Sequence, residues 1–177
     1  MKKIKIFLAS SEELKEERLE LAGLVNHMNF ALEKSDIKIY LVKWEYLDSS
    51  MSPIHKQEEY NRTLEKCDMC MVLYWTRFGK YTKAELDTAY RQISNDSSKK
   101  LCVCFKNSND ENNEIADFKK QLESEYKLPF YTFNNEKELK REFLHQFDTI
   151  QKENLNNQYP VTFSDKGVYL NGEKLTD

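Results

Sequence analysis

Strand-like and helix-like segments alternate along this chain, and their order predicts an α/β fold built on a parallel sheet. Three observations carry the prediction. Five short apolar runs are each followed by a segment long enough for a helix. The third run, Met69–Trp75, is almost continuously apolar, as a parallel strand covered on both faces must be. The longest intervening segments repeat their apolar residues at the helical period rather than alternately. Together these describe a flavodoxin-like, doubly wound five-stranded parallel sheet with helices on both faces, followed by a hairpin-like tail.

In order, Lys3–Ala9 is a short apolar strand, and Ser10 or Ser11 opens a helix, with Glu13 spaced to complete a capping box on Ser10. Leu14, Leu21, Val25, Met28 and Leu32 recur at spacings of seven, four, three and four, one face of a long helix. Arg18, within that helix, is spaced to pair on the surface with a glutamate. Ile37–Trp44 is the second strand, Glu45–His55 a loop with serines and Pro53, and Lys56–Glu65 the second helix. After the third strand come a helix at Thr82–Ile93, a strand at Lys100–Lys106 and a polar loop at Asn107–Asn113. A helix over Ile115–Tyr126 is bounded by Pro129, Phe130–Phe133 is an edge strand, and Glu136–Glu153 turns Leu139, Phe143, Phe147 and Ile150 inward.

The Asn-rich stretch Asn154–Gln158 marks a boundary, giving a domain over residues 1–153 and a tail over 154–177. Turn formers at Asp165–Gly167 and Asn171–Gly172 make that tail a short hairpin outside the main fold. It has too little apolar surface to stand alone and reads as the start of a further domain.

Composition excludes several function classes. At 177 residues, 40% hydrophobic and 32% charged, the chain is an ordinary globular domain with room for one core. A net charge of −3 gives no broad attraction to nucleic acid or acidic membranes. The N-terminal apolar run is too short for a signal peptide and no segment is long enough to span a membrane, so a cytoplasmic protein is expected. Cys67 and Cys70 form a CxxC, but Cys70, Cys102 and Cys104 lie inside apolar strands, where a thiol packs as a small hydrophobe. The three histidines lie on separate elements without metal-ligand spacing. Four glycines, at 23, 79, 167 and 172, build neither GxGxxG nor a P-loop, and no GxSxG elbow exists. Tyr74 and Trp75 end the third strand where a phospho-accepting receiver would need an aspartate.

What remains is Cys67–Tyr90, in which the third strand runs through a short polar loop into a helix with Glu85 in its first turn. That puts a carboxylate at the carboxyl end of a buried strand, where open α/β sheets bind ligands. Its neighbours are Trp75, Arg77, Phe78, Tyr81 and Thr82. One reading is structural: Thr82-Lys83-Ala84-Glu85 is itself a capping box, and a first-turn glutamate favours the helix dipole. The other is chemical: a carboxylate beside aromatics suits cleavage of an N-glycosidic bond through an oxocarbenium-like transition state. Local residues do not decide between them.

Over Lys3–Glu153 the chain resembles a bacterial Toll/interleukin-1 receptor (TIR) domain. Phe7-Leu8-Ala9-Ser10-Ser11 stands where the family's opening strand and its serine stand, and Glu45–Pro53 resembles the BB loop. NRTLEKCDMCMVLYWTRFG resembles the helix and strand before the active loop, and Glu85 in TKAEL falls on the family's catalytic glutamate, with Tyr81 as the preceding aromatic. The family's tryptophan-cysteine pair before that glutamate is missing, and the opening strand reads FLAS where FISY or FISH is frequent.

The resemblance implies hydrolysis of NAD⁺ as a substrate, with no further cofactor. It casts Glu85 as the catalytic residue and Ser10 and Ser11 as pocket lining. Trp44, Glu45 and Asp48 would sit at the BB loop, and Trp75, Tyr81 and Thr82 around the ribose and nicotinamide. Arg77 is either a phosphate ligand or a loop cation. It further implies self-assembly between TIR domains and a role as an anti-phage defence effector. Two alternatives stay open: a non-catalytic TIR-like adaptor in which Glu85 only caps its helix, and a nucleoside 2-deoxyribosyltransferase-like enzyme. AELDTAY resembles the latter's Glu-containing helix, but the aspartate expected before that helix is absent.

Overall fold

A computed structural model describes residues 1–43, 53–77, 82–96, 98–109, 112–154, 156 and 158–177. Five strands form a parallel sheet in the order β2-β1-β3-β4-β5: β1 Lys2–Ser10, β2 Ile37–Lys43, β3 Met69–Tyr74, β4 Lys100–Lys106 and β5 Phe130–Phe133. The helices are α1 Lys15–Ala31, α2 Pro53–Glu65, α3 Thr82–Asn95, α4 Asn113–Gln121 and α5 Glu136–Asn154. This is the flavodoxin-like doubly wound architecture expected from the alternation.

Side chains of each central strand alternate between two cores, one on each face. On one side Ile4, Ile6 and Leu8 of β1, Met69, Met71 and Leu73 of β3, and Cys102 and Cys104 of β4 pack with α1 and α5. On the other, Phe7 and Ala9, Cys70, Val72 and Tyr74, and Val103 and Phe105 pack with Leu64 of α2, Leu86 and Ala89 of α3, and Ile115 and Phe118 of α4. All six residues of β3 are buried, which is why that run reads as continuously apolar. The five apolar positions expected on α1's inner face, Leu14 to Leu32, are buried, as are the four on α5. All four cysteines are free and buried in these layers.

Several local expectations change. The turn after β1 is a short 3-10 segment, Glu12–Leu14, with Ser11 at its cap position and no side-chain capping bond, so Glu13 does not cap Ser10. α2 begins at Pro53, ahead of the apolar pattern, because proline's fixed φ suits a first helical turn. The helix expected through Tyr126 is α-helical only to Gln121; Leu122–Tyr126 widens into a π-helical turn that stops at Lys127, whose φ is 51°. The tail is a three-stranded antiparallel meander rather than a single hairpin: β6 Val161–Ser164, β7 Gly167–Leu170 and β8 Glu173–Thr176. Asn171 and Gly172, with φ of 52° and 83°, form the tight turn between β7 and β8. The meander is attached rather than free. Val161, Val168, Leu170 and Leu175 join the core against α1 and α5, Phe163 stacks on His145 with centroids 3.9 Å apart, and Asp148 accepts the Val161 N–H at 3.2 Å.

Candidate functional site

The strand order dictates where the chain opens. From β1 the chain crosses to α1 on one face; from β3 it crosses to α3 on the other. The loops leaving these adjacent strands therefore diverge at their carboxyl ends, which makes the β1/β3 edge the switch point where sheets of this class bind ligands. Ser10 closes β1 and Trp75 follows β3, and Leu73 is the register partner of Ser10.

Ser10 and Ser11 are both buried here, and the reason is Arg18. Its guanidinium, only 1% exposed, donates from one nitrogen to Ser10 Oγ at 2.6 Å and to the Ser11 carbonyl at 2.8 Å. Its other terminal nitrogen lies 3.4 Å from Glu12. The surface pairing expected from helical spacing is thus corrected: Arg18 turns under the β1 loop and holds it from within.

Glu13 binds this loop to the one after β3. Its Oε1 accepts from Ser11 Oγ at 3.0 Å, from Thr76 N–H at 3.0 Å and from Arg77 N–H at 3.3 Å, and its Oε2 accepts from Thr76 Oγ1 at 2.6 Å. Asn112, the N-cap of α4, braces the same loop, donating to the Thr76 carbonyl while its Oδ1 accepts the Ile115 N–H at 2.9 Å. At the end of β4, Lys106 pairs with Glu17 at 2.6 Å and sits over the Trp75 ring, 4.1 Å from its centroid. The Trp75 Nε1–H is buried and has no hydrogen-bond partner among the described residues.

Of the residues expected at a site, Ser10, Ser11, Trp75 and Arg77 converge at this edge. Arg77 is largely exposed, its Nε 4.0 Å from Glu13. Trp44, Glu45, Asp48 and Tyr81 lie outside the described residues. Thr82 and Glu85 occupy the first turn of α3, with their side chains outside the described part, and Leu86 and Ala89 anchor that helix against the sheet. Tyr126 steadies α3 further along, donating to Asp87 at 2.5 Å; burial first, and then this bond, push its phenol up to about 12. Sequence reasoning missed Glu13, Glu17, Arg18, Thr76, Lys106 and Asn112 as members of the edge. The partners of Glu13, Glu17, Thr76, Lys106 and Asn112 lie 36 to 89 positions away, so no local pattern marks them, whereas Arg18 reaches back only six to eight residues.

Among the described residues no group of His, Cys, Asp and Glu is disposed to hold a metal, and no helix is long and apolar enough to cross a membrane. Residues 5–148 match the family described as "Domain of unknown function (DUF4062)". The chain belongs to that family. No curated protein matches this DUF4062 domain. Among solved structures it is similar to the CMP N-glycosidase BcmB of Clostridium botulinum, at 17% identity and a TM-score of 0.50, over 78% of this chain and 97% of that one. A second match is the RPS4 and RRS1 TIR domain heterodimer, at 12% identity and a TM-score of 0.48, over 84% and 98%. A third is a conserved protein from Enterococcus faecalis V583, at 14% identity and a TM-score of 0.47, over 81% and 98%. At these identities the likeness to the glycosidase is one of fold.

Proposed function

We propose that this DUF4062 domain is an N-glycosidase that cleaves the nicotinamide–ribose bond of NAD⁺, with Glu85 as the catalytic carboxylate. The observation that carries the reading is the switch point between β1 and β3. The β1 loop with Ser10 and Ser11 and the β3 loop with Trp75 border it, and the β3 loop leads into the helix whose first turn contains Glu85.

In this mechanism the C1′–N bond breaks and nicotinamide leaves with the bonding electron pair. The positive charge passes to the ribose as an oxocarbenium ion, and water adds at C1′, yielding ADP-ribose and a proton. Glu85 stabilises the ribosyl cation and orients its hydroxyls, which is electrostatic catalysis aimed at charge that develops in the transition state. Trp75, with Lys106 over its ring, borders the leaving group's side of the site. Following the TIR resemblance, the domain assembles with copies of itself to complete the site and serves as a defence effector.

Nicotinamide release from NAD⁺ at high protein concentration, with E85Q alongside, tests this. Turnover that disappears in E85Q is the expected result. Absence of turnover in a sample shown by light scattering to be assembled overturns the reading in favour of an adaptor. The fold likeness to a CMP N-glycosidase favours one second reading, cleavage of a nucleoside monophosphate at the same bond type. Cytosine release from CMP in the same assay, with NAD⁺ untouched, would select it.

A further inference from the structure

The Glu13 carboxylate is held by a set of groups that suits an anion. Two successive backbone N–H groups, of Thr76 and Arg77, point at one of its oxygens, the Ser11 and Thr76 hydroxyls complete the ring, and the Arg77 guanidinium stands 4.0 Å off. Successive N–H groups aimed at one point form an anion-binding nest. This nest lies at the carboxyl ends of β1 and β3, where a doubly wound sheet receives the phosphates of its ligands. The neighbouring acids are neutralised by other cations, Glu17 by Lys106 at 2.6 Å and Glu12 by Arg18 at 3.4 Å. Glu13 alone engages the nest among the described residues. It comes from a single 3-10 turn, and its side chain is 13% exposed, so solvent reaches it.

We propose that the Thr76–Arg77 nest is a phosphate subsite, and that Glu13 is its built-in occupant, displaced when a ligand's phosphate or diphosphate enters. Two oxygens of a phosphate meet the donors that two carboxylate oxygens meet in the closed state. The exposed Arg77 side chain follows the incoming charge. The occupant competes at the high effective concentration of a tethered group, so a lone phosphate binds weakly and a diphosphate better. This deepens the proposed function by assigning the phosphate end of its substrate, and it rests on the contacts around Glu13 rather than on glycosidic chemistry.

The test is a titration of the isotopically labelled full chain with inorganic pyrophosphate, followed by NMR. Saturable shifts of the Thr76 and Arg77 amides, with the Glu13 side-chain carboxyl moving at the same midpoint, are expected. If the nest is more than nine-tenths closed by Glu13, E13A binds pyrophosphate about tenfold or more tightly than the wild type, because the occluding state is removed. E13Q, which keeps the shape and loses the charge, tightens binding in the same direction and serves if E13A fails to fold. Adding T76V to either variant weakens binding again. Equal affinities of wild type and the folded variant, or no shift at Thr76 and Arg77, overturn the proposal. Pyrophosphate binding with no hydrolysis of NAD⁺ or CMP by the assembled protein leaves the subsite standing and removes the glycosidase reading. E85Q-sensitive hydrolysis with a nest indifferent to pyrophosphate does the reverse.

Discussion

Arg18 offers the most direct check on how the β1 loop is held, through its replacement by methionine. Methionine keeps most of the apolar stem and loses the guanidinium. The bonds lost to Ser10 Oγ at 2.6 Å and to the Ser11 carbonyl at 2.8 Å are charge-assisted, worth about 1.5–3 kcal/mol each. The gain is that a cation 1% exposed no longer has to be kept out of water, which offsets several kcal/mol of that loss. Glu12, at 64% exposure, rehydrates at little cost, and the Ser11 carbonyl keeps the Leu14 N–H at 3.2 Å. The net is a destabilisation of about 1–3 kcal/mol, because Ser10 Oγ is left buried beside an apolar side chain with only its 3.2 Å bond to the Ser11 carbonyl. For a domain of this size that is a fall in Tm of about 2–12 °C. Urea unfolding followed by circular dichroism should show a lower midpoint at unchanged slope. R18K, which keeps the charge but not the planar fork, should fall between the two. An R18M protein within about 0.5 kcal/mol of wild type, the range of an ordinary surface change, would refute the reasoning and restore Arg18 to a surface role.

Two further effects follow from Cys67 and Tyr126. Burial, then the Asp68 carboxylate, push the Cys67 thiol up to about 12, so the folded chain holds this proton where the unfolded chain, with a thiol near 9.0, has lost it. Its contribution to stability is full below pH 9 and lost as pH rises from 9 to about 12, and iodoacetamide at pH 8 should label Cys67 at least about a hundredfold more slowly than an exposed thiol. Peptide mapping measures the labelling, and rapid modification of the folded protein would contradict the burial. Y126F removes the 2.5 Å bond to Asp87 that steadies α3, at a cost of about 1–2 kcal/mol for a partly solvated charge-assisted bond, or about 2–8 °C in Tm. A melting temperature unchanged in Y126F would show that the bond does not steady α3.

The sheet was legible because its signals are local. β4 and β5 begin and end where their apolar runs do, and the faces of α1 and α5 follow from spacings within a few residues. The tail's tight turn was legible for the same reason, since Asn171 and Gly172 tolerate positive φ. The third strand of the meander was not, because its sequence EKLT holds one apolar residue, Leu175, and so shows no alternation. Nor was the π-helical turn at Leu122–Tyr126, where the ring of Tyr126 meets Tyr90 at 5.0 Å and its hydroxyl meets Asp87, both on another helix.

The candidate site divides along the same line. By itself the sequence determined the layer order, the buried third strand, the glutamate in the turn that follows it, and the absence of phosphate-binding glycine loops. Only the tertiary structure decided that Glu13 reaches Thr76 across 63 positions, that Lys106 reaches Glu17 across 89, and that Arg18 points inward. A helical period reports which face of a segment is apolar; it carries no information about which distant loop that face will meet. Charged side chains therefore read as solvated until the fold brings their partners to them. At the carboxyl ends of β1 and β3, two diverging loops bury polar backbone that must be satisfied, and the side chains recruited for it come from elsewhere in the chain.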